Sequence, residues 1–180
     1  QGSKLFEPMA QSGFLPLEKV YNWEPISDEI KPEQRDKILG AQANLWAEYM
    51  PDYRQAEYMI YPRLLALSEV LWVTHYRDYK GFTERLVEAQ RRLDYGGINY
   101  HIPLPEGPQA QYVEFVDSVE VELSNSLGYE IFYWTNQTNW INWTSTTNLF
   151  NTTLLRSYTT FNGRNSDTIE VYYNKLSAPH

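Results

Sequence analysis

Apolar residues recur at helical spacing in two stretches. Met59, Leu64, Leu67, Val70 and Leu71 predict one helix over 57–73, with Pro62 in its first turns, where a missing N–H costs least. Phe82, Leu86, Ala89 and Leu93, at steps of four, three and four, predict a second amphipathic helix. Gly96-Gly97 stops it. Upstream, Leu15 to Tyr21 predicts a short helix with Pro16 in its first turn. Trp23-Glu24-Pro25 ends that helix, because the residue before a proline is driven out of the helical region. Ser27 to Lys37 is polar, and Pro32 marks a helix start within it. Ile38 to Trp46 is a short apolar run of small residues, and it predicts a buried strand. Gly40 and Ala41 there suggest close approach by another element.

The pattern changes at Ile102-Pro103-Leu104-Pro105-Glu106-Gly107-Pro108, where three prolines and a glycine predict a linker. Beyond it the period shortens to two. Tyr112 to Leu123 alternates in part, with Val119, Val121 and Leu123 on one face. Glu130 to Trp134, Thr152 to Tyr158 and Thr168 to Tyr173 also read as strands, and Asn162-Gly163 is a hairpin signal. Asn, Thr and Ser fill the spaces between, so this half predicts a small all-β sandwich.

Composition narrows the function. The 180 residues carry a net charge of −8 and no clustered Lys or Arg, which argues against nucleic acid as a partner. No apolar run is long enough for a membrane span, and no signal peptide opens the sequence. Without cysteine there is neither a disulfide nor a thiolate metal site. His75, His101 and His180 match no metal-ligand or catalytic spacing, so no metal site is expected. Aromatic residues make up 16% of the chain, which serves ring-rich cores first and sugar stacking second.

Two stretches carry a specific pattern. One reads Leu39-Gly40-Ala41-Gln42-Ala43-Asn44-Leu45-Trp46-Ala47-Glu48-Tyr49, and the other runs from Glu57-Tyr58-Met59-Ile60-Tyr61-Pro62-Arg63 to Trp72. They resemble the last strand and last helix of the barrel of family 20 glycoside hydrolases, the β-N-acetylhexosaminidases. Gly13 to Tyr21 is similar to the connection before that strand, and Phe82 to Pro103 to the closing helix and exit. The β half is similar to the chitobiase-type C-terminal domain. The resemblance implies an α+β chain. Residues 1–105 are expected to form the terminal part of a (β/α)8 barrel, mostly helical as an isolated fragment. Residues 106–180 are expected to form a small all-β immunoglobulin-like sandwich.

The resemblance further implies retaining hydrolysis of terminal N-acetyl-hexosamine residues from glycans, in which the substrate's acetamido oxygen attacks the anomeric carbon. A Glu protonates the leaving oxygen, an adjacent Asp orients the acetamido group, and no cofactor takes part. Two positions carry over as substrate-binding residues. Trp46 matches the tryptophan that walls the sugar pocket, and Glu48 the carboxylate that accepts hydrogen bonds from sugar hydroxyls. Without that motif, Trp46 reads as core and Glu48 as a solvated loop residue. Arg63 and Glu69 read as structural, in ion pairs that hold the helix; at a spacing of six they are not neighbours on one face.

No catalytic residue carries over. The family's catalytic Asp-Glu pair lies on the fourth strand, and this chain is expected to start after the seventh. Asp28-Glu29 is a decoy: no strand precedes it, and helix-start carboxylates favoured by the macrodipole explain it. The chain alone is therefore expected to be inactive, as a proteolytic remnant or truncated product. Its barrel-facing helix surfaces would then favour self-association. The parent is expected to be exported, to the periplasm or cell surface. The alternative reading is a non-catalytic β module, either a carbohydrate-binding platform of Trp134, Trp140 and Trp143 or a structural brace on the barrel's last helices. Asn136, Asn142 and Asn151 begin acceptor-like Asn-x-Thr triplets and read as turn chemistry.

Overall fold

A computed structural model describes residues 5–6, 13–73 and 76–177. The fold is α+β. Contacts divide the chain between His101 and Ile102, and Leu5 and Phe6 group with the later residues.

The first unit is helical. Helix α1 (Leu17–Tyr21) follows Pro16, whose extended backbone turns the chain into the helix. A 3₁₀ helix spans Pro32–Lys37. The single helix expected over 57–73 is two helices, α2 (Tyr53–Ile60) and α3 (Arg63–Trp72). The break has a plain cause. Pro62 has no N–H to offer the preceding turn, and its ring excludes Tyr61 from the helical region, so Tyr61 is extended at ψ 141°. The Tyr61-Pro62 peptide is cis. Asp52 caps α2 by accepting from the Gln55 N–H at 2.9 Å.

Helix α4 (Tyr79–Tyr95) buries Phe82, Leu86, Gln90 and Leu93 along one stripe. It ends as the glycine pair predicts. Gly97 takes φ +68°, the Ile98 N–H reaches Leu93 O at 2.9 Å, and the Gly97 N–H reaches Asp94 O at 3.0 Å. Those two bonds form a Schellman motif, which needs a left-handed residue at this position. The exit then returns to α2, where Asn99 donates its N–H to Glu57 and its side-chain amide to Arg54 O. Tyr21, Pro62, Ala66, Val70, Leu86 and Tyr100 are the centre of this unit's core.

The buried strand expected at Ile38 to Trp46 does not form. The segment has no regular structure and is exposed throughout, with Leu39 at 96%. A strand is stable only through its neighbours' hydrogen bonds, and among the described residues this unit has no other strand.

The second unit is β. A six-stranded sheet holds β1 (Tyr112–Phe115), β8 (Ile169–Lys175), β6 (Thr153–Phe161), β3 (Glu130–Thr135) and β4 (Ile141–Asn142) in that order, with β7 (Arg164–Asn165) paired to β6. β1 runs parallel to β8, and the other pairs are antiparallel. A second sheet pairs β2 (Val119–Val121) with β5 (Thr147–Leu149). Tyr112 to Leu123 is thus not one strand, because the chain changes sheets at Val116 to Ser118. Asn162 (φ 50°) and Gly163 (φ 75°) make the tight β6–β7 turn, which requires positive φ at both positions.

Phe115, Val121, Leu123, Ile131, Leu155, Val171 and Tyr173 form the core, drawing on both sheets, and Phe6 packs against it. The proline-rich stretch expected to be a linker is packed. Ile102, Leu104 and Pro105 are buried, Asn125 donates to Pro103 O at 3.2 Å, and Glu106 bridges to Ser124.

Candidate functional site

Trp46 and Glu48 lie between two fixed ends, the 3₁₀ helix and the Asp52 cap of α2. Ala47 O accepts the Met50 N–H at 3.2 Å, so Glu48 sits at the corner of a turn directly after Trp46. The Trp46 ring is 67% exposed. The Glu48 carboxylate is exposed and makes no hydrogen bond or ion pair among the described residues. An exposed indole offers an apolar face, and a solvated carboxylate accepts hydroxyl donors. Together they suit binding of a polyhydroxylated ring. Among the described residues they include no partner able to act as a paired acid.

Asp28 and Glu29 lie in an exposed turn, where the Glu29 N–H donates to Ser27 Oγ. They begin no α-helix, so local turn geometry accounts for them rather than a macrodipole. A cleft of about 430 Å³ lies between Glu24–Ile26, Ile38–Gly40 and the end of α3. Neither Trp46 nor Glu48 lines it.

His101 is buried, its N–H donates to Tyr61 O, and its ring meets Tyr58 edge-on at 5.1 Å. His75 and His180 lie outside the described residues. No group of three or more His, Asp or Glu residues is placed to hold a metal among the described residues.

Arg63 and Glu69 do separate jobs. Arg63 donates to Met59 O across the α2–α3 break. Glu69 is the centre of a knot of which the sequence pattern shows only this one member. Its Oε1 accepts from Tyr21 Oη at 2.8 Å and from Arg85 Nη2 at 2.6 Å. Tyr21 Oη in turn accepts the Asp78 N–H at 3.1 Å, and its ring stacks on Phe82 at 4.7 Å. α1, α3 and α4 are thereby joined at one carboxylate. Burial first, and then the hydrogen bond to Glu69, raises the Tyr21 phenol above its ordinary value. A hydrogen bond to the same carboxylate raises the Arg85 guanidinium.

The three tryptophans of the β unit do not form one platform. Alternation along β3 and β4 separates them. Trp143 turns inward, meets Tyr133 edge-on at 5.1 Å and packs on the core. Trp134 lies on the other face, where Arg156 sits 5.3 Å from its ring centre. Trp140 packs on Tyr158 at 4.8 Å, and Tyr158 stacks on Phe132 at 5.7 Å. Of the acceptor-like triplets, the one at Asn136 lies in a turn closed by Thr135 and Thr138, and Thr153 of the triplet at Asn151 bonds back to Asn151 O. Asn142 is in β4 instead of a turn, because the Trp143 N–H continues the ladder to Ile131 O.

Comparison with known proteins bears on the helical unit first. Residues 1–75 match the model of the glycosyl hydrolase family 20 catalytic domain. That match is consistent with a fragment of a family 20 hexosaminidase. The chain is 40% identical over 141 residues to a β-hexosaminidase of Porphyromonas gingivalis, covering 77% of this chain and 18% of that protein. It is 31% identical over 91 residues to a β-N-acetylhexosaminidase of Cellulomonas fimi, covering 50% of this chain and 18% of that one. It is 32% identical over 95 residues to a chitooligosaccharidolytic β-N-acetylglucosaminidase of Ostrinia furnacalis, covering 53% of this chain and 16% of that one. The chain thus spans less than a fifth of the length of these three relatives. Its similarity to the first of them covers more than the helical unit holds, so it extends into the β unit.

Proposed function

We propose that this chain is part of a β-N-acetylhexosaminidase that removes terminal N-acetyl-hexosamine residues from glycans with retention. The observation that carries the reading is the family 20 catalytic-domain match over the segment that presents Trp46 and Glu48. In this reading residues 1–105 complete a (β/α)8 barrel, with the Ile38–Trp46 run as its last strand. Residues 106–180 form an immunoglobulin-like C-terminal domain.

The chemistry divides accordingly. The substrate's acetamido oxygen is the nucleophile, and an Asp-Glu pair on an earlier strand orients it and protonates the leaving oxygen. Trp46 packs its ring against the apolar face of the sugar, and Glu48 accepts hydrogen bonds from hydroxyls on the far side. This chain alone then binds without cleaving. Its exposed rings, Trp72 at 84% among them, favour association with the rest of the barrel or a second copy. The parent acts outside the cytoplasm, in the periplasm or at the cell surface.

The test is release of nitrophenol from a nitrophenyl N-acetyl-β-glucosaminide by the full-length gene product and by this chain. Activity in the longer protein alone is expected. Activity in this chain would assign acid chemistry to a residue such as Glu29 and overturn the reading.

A further inference from the structure

The outward face of the six-stranded sheet has a composition that core formation does not require. Register places Phe132 opposite both Tyr158 and Asn142, and Trp134 opposite Arg156, which is opposite Glu170. Directly opposed residues share a face, so these six side chains point away from the core. Trp140 joins them, because it packs on Tyr158. The rings are braced. Phe132 and Tyr158 stack within 13° of parallel, and Trp134 is covered on one side by the Arg156 guanidinium. Glu170 Oε1 lies 2.6 Å from Arg156 Nε, an electrostatic contact rather than an aligned hydrogen bond.

From this arrangement we infer that the outward face around Trp140, Tyr158 and Trp134 is a second glycan-binding surface, for a neutral β-linked N-acetyl-hexosamine chain. The ligand class rests on the hexosaminidase reading, and the location rests on the sheet. Two features select a neutral sugar chain. Rings held by their neighbours offer flat apolar faces without further loss of side-chain freedom. Arg156 and Glu170 offset each other, and Glu130, on the same face two residues before Phe132, leaves the patch slightly negative and so unfavourable to anionic ligands, while Asn142, Arg156 and Glu170 supply polar contacts at its rim. Tyr, Trp and Arg also mark protein interfaces, so a second copy of the chain is the competing occupant. The surface lies in the β unit, whereas Trp46 and Glu48 lie in the helical unit.

The experiment is calorimetric titration of the 180-residue chain with a hexamer of β-1,4-linked N-acetylglucosamine. Saturable binding is expected. Trp140→Ala is expected to weaken it about fivefold, the effect of losing one well-packed ring contact. Trp140 is 44% exposed, so the variant is expected to fold, and Arg156→Met, which keeps the packing stem, probes the same surface a second time. Tyr95→Ala, an exposed ring of the helical unit, is expected to bind as the parent does.

Unchanged affinity in both Trp140→Ala and Arg156→Met would overturn the inference, as would binding abolished by Trp46→Ala. So would a concentration-dependent dimer lost in Trp140→Ala together with no glycan binding. If the full-length product hydrolyses substrate while this chain binds no hexamer, the hexosaminidase reading stands and the second surface falls. If this chain binds the hexamer in a way that Trp140→Ala weakens while the full-length product hydrolyses nothing, the second surface stands and the hexosaminidase reading falls.

Discussion

Tyr21→Phe tests the Glu69 knot with the smallest available change. The substitution removes one oxygen and keeps the ring, so the stack on Phe82 at 4.7 Å and the contact with Tyr79 at 5.5 Å survive. Two interactions go: the donation to Glu69 at 2.8 Å and the acceptance from the Asp78 N–H at 3.1 Å. A hydrogen bond to a charged acceptor is worth about 1.5–3 kcal/mol net, and Arg85 remains to hold Glu69, so the expected loss is about 2 kcal/mol. For a unit of this size that lowers the melting temperature by about 10 °C. The assay is thermal unfolding followed by helical ellipticity, which among the described residues reports the first unit alone.

The pH dependence is a sharper check. The folded Tyr21 phenol is raised above its ordinary value, so its contribution is complete below about pH 10. As the pH rises further the unfolded phenol ionises first, and the contribution is lost through the folded value. The gap between the parent and Tyr21→Phe is therefore expected to narrow in alkali. Burial also raises Tyr173 in the β unit, but that contribution is common to both proteins and cancels in the comparison. A gap below about 0.5 kcal/mol at neutral pH, or one that widens in alkali, would refute the argument.

Four further outcomes follow from other parts of the molecule. In the full-length product, Glu48→Gln is expected to lower kcat/KM by about tenfold to a hundredfold, the loss of charge-assisted hydrogen bonds. The same change is expected to leave the melting temperature of this chain unmoved. Gly97→Ala is expected to cost about 1 kcal/mol in a urea melt, because φ is +68° but the new methyl meets open space. Gly107→Ala is expected to cost about 3 kcal/mol or more, since its Cβ would lie 2.0 Å from Glu122 O. Hydrogen exchange checks the Ile38–Trp46 run. Among the described residues no amide from 39 to 46 donates to a backbone carbonyl, so rapid exchange is expected in this chain and protection in the full-length product.

What is legible in the sequence is what local chemistry decides. The Phe82, Leu86 and Leu93 stripe, the Gly96-Gly97 stop and the Asn162-Gly163 turn each depend on residues within a few positions of one another. The strands β3, β6 and β8 are readable from alternation because one face of each packs on the core. β4, β5 and β7 are not, since two or three residues carry no measurable period. The Tyr21 knot is hidden for another reason. Its members are separated by 48 and 16 positions along the chain, and no local pattern joins them. Trp143 leaves the expected platform because parity outweighs proximity in sequence. Residues 134, 140 and 143 are close, but the pleat sends the third to the opposite face.

The candidate site makes the complementary point. Trp46 and Glu48 stand out only through a sequence pattern, and the segment holding them has no internal structure that singles them out. Its residues are suited to a buried strand: small side chains that permit close neighbours, and apolar ones that need a covering layer. A strand lacks the internal hydrogen bonds of a helix, so it cannot express that suitability without a partner. The helices α3 and α4 do form, because each satisfies its own backbone. Each buries one stripe and leaves the ring at its last residue bare, Trp72 of α3 at 84% and Tyr95 of α4 at 98%. Ile38, Leu39, Leu45 and Trp46 are all exposed in the strand-suited run, and the proposed barrel is the arrangement that would supply the partner strands and the covering layer they lack.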